Sequence, residues 1–134
     1  DQIIINPNYD EPTYFQNGMA VVSRNKKCGV IDKNGNAILP LRYDNVVRLT
    51  NSFLLTKNNL KGMADAKAQV IIETRYDFLE EVKSNLLLVY KDGKCGTITT
   101  HGVNIIPMMY DELIFDSAKA IFFAEKKSAW KEIN

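Results

Sequence analysis

Residues 15–46 read FQNGMAVVSRNKKCGVIDKNGNAILPLRYDNV. Short runs rich in apolar and β-branched residues alternate with Asn17-Gly18 and Asn34-Gly35. Asx-Gly between apolar runs is the strongest short-range hairpin cue, because both residues tolerate positive φ. The stretch ends near Tyr43-Asp44, and that pair returns along the chain as Tyr9-Asp10, Tyr76-Asp77 and Tyr110-Asp111, at spacings of 34, 33 and 34 residues. A constant period of this length is the mark of a repeat architecture.

Other positions keep step with the pair. An isoleucine doublet or its equivalent falls at Ile4-Ile5, Ile38-Leu39, Ile71-Ile72 and Ile105-Ile106. Gly29, Gly62 and Gly96 share one phase, with Ala129 in the fourth copy, and Gly35, Ala68 and Gly102 share another. Each unit reads as four short strands. In the best-marked set, residues 36–40 form a strand ended by Pro40, which has no N–H for a central ladder. After a link at Leu41-Arg42, residues 43–49 form a second strand, 53–57 a third and 61–65 a fourth, with turns at residues 50–52 and Asn58-Asn59. Residues 78–90 (FLEEVKSNLLLVY) also fit one face of an amphipathic helix. Their counterparts contain Pro12 and Gly18, poor helix formers, so the repeat phase predicts strands there as well.

The expected fold is therefore all-β. Four tandem units of about 34 residues, each of short antiparallel strands, form an open repeat array; the alternative is a closed four-bladed, propeller-like ring. Residues 1–134 are read as one repeat domain of almost four periods, or as a piece of a longer array. No unit buries its apolar face alone, so neighbours supply the cover.

With 134 residues, 46% hydrophobic and 25% charged, the composition is that of an ordinary globular chain. Seventeen basic residues are scattered among 16 acidic ones for a net charge of +1, which leaves no footprint for nucleic acid or an anionic membrane. No apolar run approaches the roughly 20 residues of a membrane span. The chain opens at Asp1 rather than Met, so the question of a leader stays open.

The candidate residues for chemistry mostly have structural readings. The Tyr-Asp pairs are expected to pack each ring at a strand corner, with the hydroxyl on a backbone carbonyl and the aspartate accepting turn N–H groups. The glycines of the Gly29 phase have no phosphate-loop spacing and mark a bulge or a close backbone approach. Cys28 and Cys95 share one phase two units apart and are expected to be free thiols acting as small hydrophobes. His101, the single histidine, belongs to a hairpin turn, and no metal-ligand spacing accompanies it. Glu80 and Glu81 fall on opposite strand faces and do not form an acid/base dyad. No cofactor and no enzymatic activity are expected. The aromatic stretch at residues 120–124, followed by Trp130, reads as an edge covered by another repeat or as a partner patch.

Phe15, Gly18, Ala20, Val22, Lys27, Gly29, Ile31, Asp32, Gly35, Pro40, Tyr43 and Asp44 give the chain a pattern similar to the bacterial WG repeat. Lys94, Gly96, Ile98, Gly102, Ile105, Ile106, Pro107, Tyr110 and Asp111 repeat it. The tryptophan position departs from that pattern: it holds Cys28, Lys61, Cys95 and Ser128. The resemblance implies a β-rich interaction module without established chemistry, found often in secreted or envelope proteins. Free cysteines point instead to a reducing compartment, so the location is left open.

Two functional readings follow. The first is a non-catalytic repeat scaffold that binds another protein or macromolecule through a repeat-lined surface, with edge-mediated self-association as a further expectation. The second is a carbohydrate- or cell-envelope-binding module that uses exposed tyrosines as stacking platforms. Candidate binding residues are Tyr14, Tyr90, Phe122 and Trp130.

Overall fold

A computed structural model describes the backbone of residues 2–4, 8–11, 13–116, 118, 121–126 and 129–133, and the side chains of residues 8–11, 13–116 and 118. Every regular element among them is a β-strand, and every strand pairing is antiparallel. Contacts divide the chain into two compact units, Asp1–Thr74 and Arg75–Asn134.

In the first unit, β1 (Gln2–Ile4) pairs with β2 (Thr13–Phe15). A three-stranded sheet follows from β3 (Met19–Arg24), β4 (Lys27–Asp32) and β5 (Ala37–Tyr43). Next comes a four-stranded sheet of β6 (Asn45–Arg48), β7 (Ser52–Lys57), β8 (Leu60–Asp65) and β9 (Val70–Tyr76), whose last strand carries the chain past the division. In the second unit, β10 (Phe78–Lys83), β11 (Leu86–Lys91), β12 (Lys94–Thr99) and β13 (Asn104–Tyr110) form one sheet. The sheet of β14 (Glu112–Asp116), β15 (Ile121–Lys126) and β16 (Ala129–Ile133) completes it. Each sheet is built from consecutive strands and none closes on itself, the sheet-by-sheet organisation of a repeat array.

Four strands fall in each period, as the phase predicts, and residues 78–90 form the two strands β10 and β11 rather than a helix. The strand break lies elsewhere than expected. Pro40 does not end β5; the strand runs on to Tyr43, and the break comes at Asp44. Register explains it: Val30 faces Leu39 and Cys28 faces Tyr43, so Gly29 alone stands opposite the three residues Pro40, Leu41 and Arg42. A proline is tolerated in a last strand at such a bulge, where its missing N–H breaks no ladder bond. Pro107 repeats the arrangement, with Thr97 facing Ile106 and Cys95 facing Tyr110.

The bulge also explains the glycine phase. A Cβ on Gly29 would lie 2.4 Å from the Leu39 carbonyl oxygen; on Gly62, 2.5 Å from that of Ile72; on Gly96, 2.5 Å from that of Ile106. The expected close backbone approach is therefore present three times.

Turn chemistry sets the hairpins. Asn17-Gly18, Asn25-Lys26, Asn58-Asn59 and Asp92-Gly93 each have both residues at positive φ, between 52° and 78°, as a type I′ turn requires. The second recurrent turn is held by a side chain: Asp32 Oδ1 accepts from the N–H groups of Asn34 and Asn36 at 2.9 Å. Asp65 does the same for Lys67 and Gln69, and Thr99 for His101 and Val103. Gly35, Ala68 and Gly102 occupy the left-handed position of this turn, with φ of 85°, 62° and 83°.

Burial joins successive sheets within each unit. In the first, Val30, Leu39 and Tyr43 from β4 and β5 form one core cluster with Val46, Phe53, Leu55 and Ala64 from β6, β7 and β8. In the second, Leu88, Cys95 and Ile106 cluster with Leu113 of β14. Within each unit the cover that one sheet lacks comes from its neighbour in that unit, and its burial is the main stabilising term.

Candidate functional site

Tyr43-Asp44, Tyr76-Asp77 and Tyr110-Asp111 each fall at a joint in the chain, the tyrosine ending the last strand of one sheet and the aspartate preceding the next strand, whereas Tyr9-Asp10 lies between β1 and β2 of a single sheet. Tyr43 is buried in the core, and Tyr9 and Tyr110 pack against their own clusters. The expected bond from these hydroxyls to backbone carbonyls is not found among the described residues; ring packing holds the tyrosines instead. The aspartates do what was expected of them. The N–H groups of Asp10, Asp44 and Asp77 each donate at 2.8 Å to the carbonyls of Ser23, Thr56 and Tyr90. Their carboxylates accept from the turn that follows: Asp10 from Asn25 and Lys26, Asp44 from Asn58, and Asp77 from Asp92.

Asp44 also reaches backwards. Lys27, in the preceding sheet, donates to its Oδ1 at 2.5 Å, and Lys94 makes the same bond to Asp111. The Lys27 ammonium, followed by the Asn58 N–H, holds the Asp44 carboxyl below the usual carboxylate range. One side chain thus bonds the hairpins on either side of the joint. These roles are structural.

The thiols belong to the same joints. Cys28 Sγ lies 3.9 Å from the Asp44 carbonyl and Cys95 Sγ 3.4 Å from that of Tyr110. Both cysteines are free, and burial pushes both thiols up. Cys95 is fully buried where the repeat pattern places a tryptophan, and Cys28 is half-buried, as expected of small hydrophobes at that phase. His101 is exposed in its turn. Among the described residues, no group of three or more His, Cys, Asp and Glu side chains is placed to hold a metal ion, and no helix is long and apolar enough to cross a membrane.

Of the four candidate binding residues, Tyr14 on β2 is 49% exposed. Tyr90 is half-buried on β11 and lines an open groove of about 420 Å³ with Phe78, Glu80 and Leu88. Phe122 stands opposite Phe115, and Trp130 opposite Glu125, in backbone register; their side chains lie outside the described residues. The structure thus adds Phe78, Glu80 and Leu88 to the Tyr90 site.

Phe78 and Tyr90 face each other across β10 and β11, with ring centroids 5.6 Å apart and planes at 86°, an edge-to-face pair. Phe78 remains 43% exposed. The cross-strand position they fill is polar elsewhere: it is Asn45 with Thr56 after the second Tyr-Asp, and Glu112 with Glu125 after the fourth. After the first pair, the corresponding residues are Glu11 and Ser23. Only after the third Tyr-Asp is this particular position filled by an aromatic pair. That departure from the repeat was the available sequence signal, and it is visible only once the strand register is known.

A second cavity, of about 320 Å³, lies in the first unit and is lined by Gln16, Asn17, Arg48, Thr50, Asn51 and Ser52, among others. The Arg48 guanidinium donates from Nη1 to Gln16 O at 3.0 Å and from Nη2 to Met19 O at 2.7 Å, and it lies 5.1 Å from the Phe53 ring centroid.

No curated protein matches this chain. The profile of the WG containing repeat matches residues 1–28, 29–60 and 62–95. Those three matches cover most of the chain, and the strands β13 to β16 continue the same order beyond them. The chain belongs to the WG containing repeat family.

Proposed function

We propose that this chain is a non-catalytic repeat scaffold that binds another protein, with the Phe78–Tyr90 groove as its point of contact. The observation that carries the reading is the aromatic pair, exposed Phe78 beside half-buried Tyr90, at a position the other units keep polar. The recurrent residues are committed to joints, turns and core. Recognition therefore falls to residues that break the pattern. Aromatic side chains at the centre of a contact contribute large apolar area with little conformational entropy to lose. Glu80, on the rim, adds a charge that selects a basic neighbour on the partner.

The test returns the groove to the repeat's own chemistry with the double variant Phe78→Glu/Tyr90→Ser, copying Glu11 and Ser23. Both proteins, immobilised, are offered a lysate of the native host, and bound proteins are quantified. A protein retained by the parent and reduced at least roughly tenfold by the variant, a loss of about 1.4 kcal/mol, supports the reading. Equal retention of every protein by parent and variant overturns it.

The alternative, a carbohydrate-binding module, has one observation in its favour. Tyr90 and Phe78 offer ring surface to the apolar face of a sugar, and Glu80 lies within the same groove to accept hydroxyls. Titration with oligosaccharides while following Tyr90 resonances separates the two: saturable shifts with a sugar favour this alternative.

A further inference from the structure

The Arg48 cavity has no part in the repeat's construction. The equivalent strand position holds Tyr14, Glu81 and Phe115 in the other units. Glu81 accepts the N–H of Asn85, a turn role that Arg48 does not share. An arginine here is therefore particular to the second period.

Its surroundings leave its charge unbalanced. Among the described residues, no carboxylate lies within ion-pairing distance of Arg48, and no acidic side chain lines its cavity. Two main-chain carbonyls accept from Nη1 and Nη2, and Phe53 lies under the guanidinium face. Those neighbours fix its orientation without neutralising it. Burial pushes the guanidinium pKa down, so the charged form is held at a cost that a bound anion would offset. A guanidinium carries five N–H donors. The two carbonyl bonds use one on each Nη and leave the rest for a ligand.

We propose that the cavity around Arg48 is a binding site for a carboxylate group, received by the remaining guanidinium donors and by the polar side chains of Asn17, Thr50, Asn51 and Ser52. A planar carboxylate matches the planar fork of a pre-oriented guanidinium. Among the described residues Arg48 is the one cationic residue lining the cavity, a single positive charge matched to the single negative charge of a carboxylate. The volume of about 320 Å³ holds an acidic side chain or a short chain terminus with its neighbouring peptide.

The experiment follows the Arg48 Nε–H resonance and the amides of residues 50–52 by NMR. Sodium acetate, a blocked tripeptide bearing one aspartate, sodium phosphate and sodium chloride are titrated at matched ionic strength. Saturable shifts are expected with acetate and with the peptide below about 100 mM, a weak single-group affinity. Tighter binding of the peptide assigns the carboxylate to a polypeptide, and equal binding assigns it to a small molecule. Arg48→Met abolishes saturation. Thr50→Ala, an exposed position that leaves the arginine in place, weakens binding about fivefold, the effect of one hydrogen bond. Absence of saturable shifts in the parent protein overturns the proposal. So do shifts unchanged by either substitution, or phosphate binding roughly tenfold tighter than acetate.

Discussion

Replacing Gly29 by alanine tests the bulge that sets the shape of each sheet. The new methyl would lie 2.4 Å from Leu39 O and 2.8 Å from the carbonyl carbon and oxygen of Pro40. Even a close C–H···O contact is about 3.3 Å, so the overlap is nearly 1 Å, and every obstacle is main chain. No side chain can swing aside; β4 and β5 must part. Overpacking costs about 1–3 kcal/mol where side chains can adjust, and this site belongs at the upper end. Alanine returns about 0.4–1 kcal/mol through the unfolded chain, which leaves a net loss of about 2–3 kcal/mol. Gly35→Ala is the control: nothing lies within 4 Å of the added methyl, and only the φ of 85° opposes it, at about 1 kcal/mol. Urea unfolding followed by far-UV circular dichroism compares them. With a slope of about 1.5 kcal/mol/M, Gly29→Ala lowers the midpoint by roughly 1.3–2 M and Gly35→Ala by roughly 0.7 M. Gly62→Ala and Gly96→Ala, with methyls 2.5 Å from a carbonyl oxygen, should each match Gly29→Ala to within about 1 kcal/mol. If Gly29→Ala costs no more than Gly35→Ala, the steric account of the glycine phase is refuted.

Four further outcomes follow from the same structure. Lys26 sits at φ 66° in a type I′ turn, so Lys26→Gly should raise stability by about 0.5–1 kcal/mol in the same urea assay. Among the described residues the buried Thr13 hydroxyl has no hydrogen-bond partner; Thr13→Val removes it and should stabilise by about 1 kcal/mol, read as a higher melting temperature. Because the folded Asp44 pKa is depressed, its contribution is full above the unfolded value of about 3.9 and is lost as pH falls through the folded value; Asp44→Asn should lower the urea midpoint at neutral pH, and the gap should close in acid. A thiol-reactive disulfide reagent should modify half-buried Cys28 first in the native protein and fully buried Cys95 only when urea is added; equal native rates would contradict the burial assigned here.

The architecture was largely legible because the period multiplies weak signals. One Asn-Gly is a hint; hairpin turns recurring at fixed distances from Tyr-Asp define the unit. The roles of Asp44 and Gly29 followed from residue type and recurrence alone. Pro40 misled, because propensity rules speak for a regular ladder, and the three-against-one bulge appears only when β5 is laid on β4. The groove was half legible. Tyr90 could be nominated only as a tyrosine available for stacking, whereas Phe78 and Glu80 join it through register across β10 and β11. Arg48 carried no sequence signal, since its two carbonyl acceptors come from the β2–β3 turn, 32 and 29 residues away along the chain.

The joint at Tyr43-Asp44 has a bearing on how such chains lengthen and are engineered. A cut between Cys28 and Gly29, where two matched copies meet, severs β4 in mid-strand. A cut between Tyr43 and Asp44 leaves both neighbouring ladders whole and gives up the Lys27 bond, the two Arg48 bonds and the shared core. The segment matched by the repeat profile and the segment that a designer should splice are therefore out of step by about half a period.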